Sequence, residues 1–119
     1  MNQEPLIDAS AVAQIKEIGG NELFVKLVDL FNDYVAGRIA AARSAMEQGN
    51  FTGVQEAVHP IKSSAANLGA RHVRELAQQI EQLARQQNAA PLPGRIADLE
   101  SAFVGARAEL QRMRSDAAG

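Results

Sequence analysis

This sequence predicts an all-α fold: an antiparallel, up-and-down four-helix bundle with a short extra helix at its N-terminus. Three observations carry the prediction. Alanine is abundant, aromatic residues make up only 4% of the chain and tryptophan is absent, so residues that favour helix outnumber those that favour strand. Apolar residues recur at spacings of three and four over long stretches, and glycine, asparagine and proline separate those stretches. At 119 residues the chain has the size of one domain, 1–119, and can close a modest core without metal or disulfide staples.

The first helix is expected over roughly Asp8 to Ile18, capped by Asp8 or Ser10 and stopped at Gly19-Gly20, with Ala11, Val12, Ile15 and Ile18 as its apolar residues. Asn21 can cap a second helix of about seven turns that ends near Gln48. Its stripe reads Phe24, Leu27, Phe31, Tyr34 or Val35, Ala42 and Met46. A third helix runs from near Thr52 to Leu68, with Gly69 as terminator, and a fourth from Ala70 or Arg71 to Gln87 through Val73, Leu76, Ile80 and Leu83. After "NAAPLPG" a fifth runs from Pro93 to Met113 through Ile96, Leu99, Phe103, Ala106 and Leu110. The tail 114–119 is expected to fray.

Charge and composition exclude several function classes. Twelve basic and 14 acidic residues are dispersed along the chain with a net charge of −2, so no clustered basic patch for nucleic acid is expected. The chain contains no cysteine, which removes disulfide frameworks and zinc-thiolate sites. No signal-peptide pattern and no stretch of ~20 apolar residues is present, so the expectation is a cytoplasmic protein with no membrane partner. Four mutually covering stripes make it an expected monomer.

The third helix carries the unusual residues. At 100° per residue, Val54, Val58, Ile61, Ala65 and Leu68 share a core face, while His59, Ser63, Ala66 and Ala70 project oppositely and Lys62 lies one turn beyond the histidine on a flank. Ordinary solvent faces carry long charged side chains, as the second helix does with Lys26, Asp29, Asp33 and Arg38. This one is bald around a histidine, which lets another macromolecule approach closely enough for group transfer. Pro60 lacks an amide donor and clashes with the carbonyl of Glu56, so either the helix bends there or it restarts at Pro60.

In this register the residues resemble the histidine-containing phosphotransfer (HPt) domains of multistep two-component signalling, whose motif reads approximately His-x-x-Lys-Gly-Ser-x-Ala-x-x-Gly-Ala. His59, Lys62, Ser64, Ala66, Gly69 and Ala70 match it, and Ser63 departs from the usual glycine. Ile80, Glu81 and Arg85 match a softer pattern one helix later. The resemblance covers most of the chain and implies a phosphoryl carrier: His59 accepts a phosphoryl group from an aspartyl phosphate on a response-regulator receiver domain and passes it to another receiver. Receivers are the implied partners, among them those of a hybrid sensor kinase, and whether the chain is free-standing or a domain of such a kinase is left open.

The resemblance also implies roles. A neutral imidazole is the nucleophile, through Nε2, and histidine as a residue type titrates near ~6.5, so no strong activating base is required near neutral pH. A carboxylate on Nδ1 would fix the useful tautomer, with Glu81 as the family-matched candidate and Glu56 as a local rival. Lys62 and Arg85 are candidates for stabilising phosphoryl oxygens. Ser63, Ser64, Ala66, Asn67, Gly69 and Ala70, with Ala11 and Ile15 on the first helix, are the candidate docking residues. Neither a phosphate loop nor an acidic cluster for magnesium is visible, so no cofactor, no metal and no kinase activity are expected, and the Mg2+ belongs to the partner receiver.

Two rival readings remain. Glu56 and His59 form a Glu-x-x-His unit of the di-iron type, but a second unit and two further inward glutamates are not recognisable. A helical adaptor that binds a signalling partner through the same face, without phosphorylation, is the alternative.

Overall fold

The computed structural model describes residues 6–118, with side chains through 116. Among the described residues there are helices and no strands: α1 (Ala9–Glu47), α2 (Phe51–Asn67), α3 (Arg71–Arg85) and α4 (Leu92–Ala118). Neighbours in the chain pack together, and α1 also packs on α4, which closes a ring of four with short connections. None of these helices is long and apolar enough to cross a membrane.

The extra N-terminal helix is the first part of α1. Asp8 caps it, its side chain accepting from the backbone N–H of Ser10 at 3.0 Å. Gly20 then takes φ 71°, ψ −168°, a backbone state that side chains with a Cβ avoid, and helix resumes on a new axis over 21–47. Val12 and Ile15 of the first part are buried, whereas Ile18 is exposed.

Phe24, Val28, Phe31, Val35, Ile39 and Ala42 line the buried side of the longer part of α1, so Val35 and not Tyr34 faces inward. They meet Val54, Val58, Ile61 and Ala65 of α2, Val73, Leu76 and Ile80 of α3, and Ile96, Leu99, Phe103 and Leu110 of α4. Phe31 and Phe103 contact across α1 and α4 with ring centroids 5.7 Å apart. Full burial of each large side chain contributes about 1.5–3 kcal/mol, so this one continuous core is what keeps the helices together.

The C-terminal segment is helical over the residues described. Helix α4 continues to Ala118, and Arg114 is tied back to α1 by a two-pronged pair with Asp29 at 2.8 and 3.1 Å. Fraying was expected from chain position alone, and the cross-helix ion pair is not visible in local sequence. Gly119 lies outside the described residues.

Pro60 neither restarts nor ends α2, which runs through it uninterrupted. The carbonyl that it leaves without an amide, that of Glu56, accepts instead from the guanidinium of Arg38 on α1 at 2.8 Å, and Arg38 Nε also donates to Ala57 O at 3.2 Å.

Candidate functional site

Helices α2 and α3 lie side by side, and their facing edges bring His59, Lys62 and Glu81 together. Glu81 sits at the inward edge of α3, one residue past the core residue Ile80, with its side chain only 7% exposed. A buried carboxylate needs partners, and two cross from α2. Nδ1 of His59 lies 2.5 Å from Oε2, and Nζ of Lys62 donates to Oε1 at 2.5 Å. Arg85, one turn along α3, stands 4.0 Å from Oε2.

Burial by itself would raise the Glu81 carboxyl, but the hydrogen bonds and positive charge of Lys62 and the bond from His59 outweigh it and hold the group below the ordinary carboxylate range. Glu81 is therefore ionised near neutral pH and can only accept, so the His59 hydrogen resides on Nδ1. The imidazole side chain is 68% exposed. With Nδ1 engaged, a neutral ring presents the lone pair of Nε2 as its available nucleophile. Of the two carboxylates considered for this partnership, Glu81 fills it, while Glu56 is exposed and contributes its backbone carbonyl to Arg38.

Lys62 is half-buried against Glu81. Its charge compensates the carboxylate in this state.

Around the ring, Ser63, Ala66 and Asn67 are exposed and continue the small-residue stripe. Ser64 is half-buried and turned towards α1, where with Asn67 and Leu68 it borders a groove of roughly 240 Å3 lined by Leu27, Leu30, Phe31 and Tyr34. Leu30 and Tyr34 are 55% and 47% exposed, a pair of apolar side chains the sequence reading did not assign to the site. The ambiguity between Tyr34 and Val35 was the available signal: once Val35 takes the core position, Tyr34 must face out.

Three residues expected on the docking face are largely withdrawn from it. Ala70 is fully buried, Ile15 belongs to the core, and Gly69 is buried except where it lines a shallow depression with Asp8 and Ala11. The reason is a clasp between the N-terminus and the α2–α3 turn. Gly69 has φ +72°, its carbonyl accepts from Asp8 N–H at 2.8 Å, and Arg71 donates to the Asp8 carboxylate at 3.0 Å. A Cβ on Gly69 would lie 2.8 Å from Asp8 O, so close backbone approach demands glycine here. Ala11 is half-buried at the margin, sharing a shallow polar depression with Ala66, Arg71 and Arg74.

His72 is exposed on the first turn of α3. Among the described residues no cluster of His, Cys, Asp or Glu suitable for a metal ion is found.

Comparison with known proteins agrees with this geometry. The model of a family described as the Hpt domain matches residues 26–116. The aerobic respiration control sensor protein ArcB of Escherichia coli is 30% identical over 78 residues, which cover 66% of this chain and 10% of that protein. The chain thus spans about a tenth of the length of the curated relatives it matches. Among solved structures, histidine-containing phosphotransfer protein B of Pseudomonas aeruginosa superposes with a TM-score of 0.89 at 23% identity, covering 96% of this chain and 98% of that one. The HPT domain of a sensor hybrid histidine kinase from Shewanella gives a TM-score of 0.78 at 13% identity, covering 96% of this chain and 97% of that one.

Proposed function

The chain belongs to the Hpt domain family, and on that premise we propose that it carries a phosphoryl group on Nε2 of His59 between receiver domains of a phosphorelay. The observation that supports this most directly is the pairing of an exposed imidazole with the buried, ionised Glu81 through Nδ1.

In the proposed step, the Nε2 lone pair attacks the phosphorus of an aspartyl phosphate on the receiver. The N–P bond forms as the P–O bond to the aspartate breaks, and the electron pair of that bond stays on the departing carboxylate. No proton has to move, because Nδ1 already carries the hydrogen. The ring becomes cationic, and the carboxylate of Glu81 at 2.5 Å is placed to stabilise that charge. Reversal onto a second receiver regenerates the neutral ring, so Glu81 acts as an orienting and charge-balancing group in both directions.

Lys62 is assigned to the oxygens of the phosphoryl group carried on His59: once the ring has become cationic, Glu81 has His59 as a charged partner and Lys62 can turn outward. Arg85 is a weaker contributor, at 4.0 Å from Glu81 and largely exposed. The proposal places the Mg2+ used in the transfer on the receiver, and gives this chain the role of a carrier without ATP-dependent kinase activity. The receiver is assigned to the stripe of Ser63, Ala66 and Asn67 and to the adjoining groove at Leu30 and Tyr34, where small and apolar side chains permit close packing. Partners of this kind include the receiver domains of a hybrid sensor kinase.

The test is transfer from a radiolabelled aspartyl-phosphate receiver to wild type, His59→Gln and His72→Gln. Acid-labile, alkali-stable label on wild type and His72→Gln but not on His59→Gln is the expected result. Receiver binding that persists without label in any of the three proteins would instead favour the adaptor reading.

A further inference from the structure

A proline inside a helix leaves the carbonyl four residues earlier without its amide donor, and here that carbonyl belongs to Glu56, in the turn that precedes His59. The proline also stands next to the imidazole-bearing residue, so any relaxation of this turn would re-aim the ring. A carbonyl in this position usually turns to water and the helix bends outward. In this protein Arg38 reaches across from α1 and takes it: Nη2 donates to Glu56 O at 2.8 Å, and Nε donates to Ala57 O at 3.2 Å. The planar fork of a guanidinium can bridge two successive carbonyls in this way, whereas an ammonium cannot hold both in a fixed plane.

We propose that Arg38 is a positioning residue for phosphoryl transfer, standing in for the amide that Pro60 lacks and holding the preceding turn of α2 so that Nδ1 of His59 meets Glu81. The assignment rests on the reading of His59 as the phosphoryl carrier. Arg38 touches neither the imidazole nor Glu81; it acts through the backbone of Glu56 and Ala57. The arrangement links α1, which borders the groove at Leu30 and Tyr34, to the turn that aims the nucleophile.

A double-mutant cycle separates this role from general stability. Arg38→Gln removes the fork, and Pro60→Ala returns an amide to position 60, where it can donate to Glu56 O without help from Arg38. Phosphoryl acceptance from a receiver and the ring-nitrogen NMR shifts of His59 are measured for wild type, each single variant and the pair, with His72 as the reference ring in the same spectrum. In the Pro60 background, Arg38→Gln is expected to slow acceptance roughly 10- to 100-fold, the scale on which small misplacements of a reacting group act. It should also move the His59 nitrogens towards a mixture of tautomers. In the Pro60→Ala background the same substitution should change acceptance by no more than about 3-fold and leave the nitrogen shifts in place.

Equal losses in the two backgrounds would overturn the proposal, because Arg38 would then act independently of the proline. Unchanged transfer and unchanged His59 shifts in Arg38→Gln would overturn it as well. If Arg38→Gln fails to fold, Arg38→Lys, which keeps charge and stem but not the fork, takes its place in the cycle. The nitrogen shifts are read without any receiver: absence of transfer in wild type would defeat the carrier reading, while the coupling between Arg38 and Pro60 would still be decided from the ring.

Discussion

Glu81 on α3 holds Nδ1 of His59 on α2 at 2.5 Å, and its other oxygen holds Lys62 at the same distance. One buried carboxylate therefore sets the tautomer of an exposed imidazole while being kept ionised by a lysine on that imidazole's own helix. Glu81→Gln retains the shape but offers one oxygen and one NH2 to two neighbours that both need an acceptor. Phosphoryl acceptance is expected to fall roughly 10- to 100-fold, with a modest lowering of the thermal midpoint at about pH 7 because the ionised carboxylate is stabilised by Lys62 and His59 in the folded state. Transfer kinetics beside a melting curve check this, and a variant as fast as wild type would remove Glu81 from the mechanism.

The same carboxylate makes stability depend on pH with a definite sign. Its folded-state pKa lies below the unfolded value of about 4.3, the balance of burial raising it and Lys62 and His59 lowering it. The Glu81 contribution is thus fully present above that unfolded value and is lost as pH falls through the lower folded-state pKa. Urea midpoints for wild type and Glu81→Gln, measured from pH 7 down to pH 3 (about the span of carboxylate titration), should converge in that acid window. Parallel curves throughout would show that the carboxylate is not stabilised in the folded state.

At the other end of α2, Gly69→Ala puts a Cβ on a residue with φ +72° and presses it against the backbone of Asp8. Strain of this kind costs about 1–3 kcal/mol. Because the clash falls on the clasp, hydrogen exchange over 9–19 should accelerate more than exchange over α3 and α4. Uniform acceleration would mean that the first part of α1 is not an independently released unit.

Ala66 and Ala70 are one turn apart in sequence yet opposite in consequence. Ala66 is exposed, so Ala66→Arg should weaken receiver binding while the thermal midpoint stays near that of wild type. Ala70 is completely buried, so Ala70→Arg should destabilise by roughly 3 kcal/mol or more through a buried unpaired charge. Titration calorimetry and thermal melts of the two variants distinguish the cases, and unaltered receiver affinity in Ala66→Arg would move the docking face elsewhere.

Much of this architecture is readable along the chain because helices are local. The spacing of Val54, Val58, Ile61, Ala65 and Leu68 identified the buried side of α2, and those five side chains are buried. Glycine marked the breaks at Gly20 and Gly69, where positive φ is found. The reading placed Ala70 with the exposed stripe because helical angle alone was extended past a residue at which the helix had already ended. It likewise treated Arg38 as a solvated charge, since its targets are backbone carbonyls on another helix, and carbonyls have no signature in a sequence.

By itself, the sequence determined the helical class, the core-facing stripes and the exposure of His59, because each follows from residue type and a period of 3.6. Only the tertiary structure decided that Glu81 rather than Glu56 meets Nδ1 of the imidazole, that α2 continues through Pro60 with Arg38 at its open carbonyl, and that Asp8 closes over Gly69. Each of these joins residues 18 to 61 positions apart, as shown by the separations of Arg38 from Glu56 and of Asp8 from Gly69, 56 − 38 and 69 − 8. Their geometry depends on how two helices pack, and helix packing sets distances and side-chain directions that local periodicity leaves free.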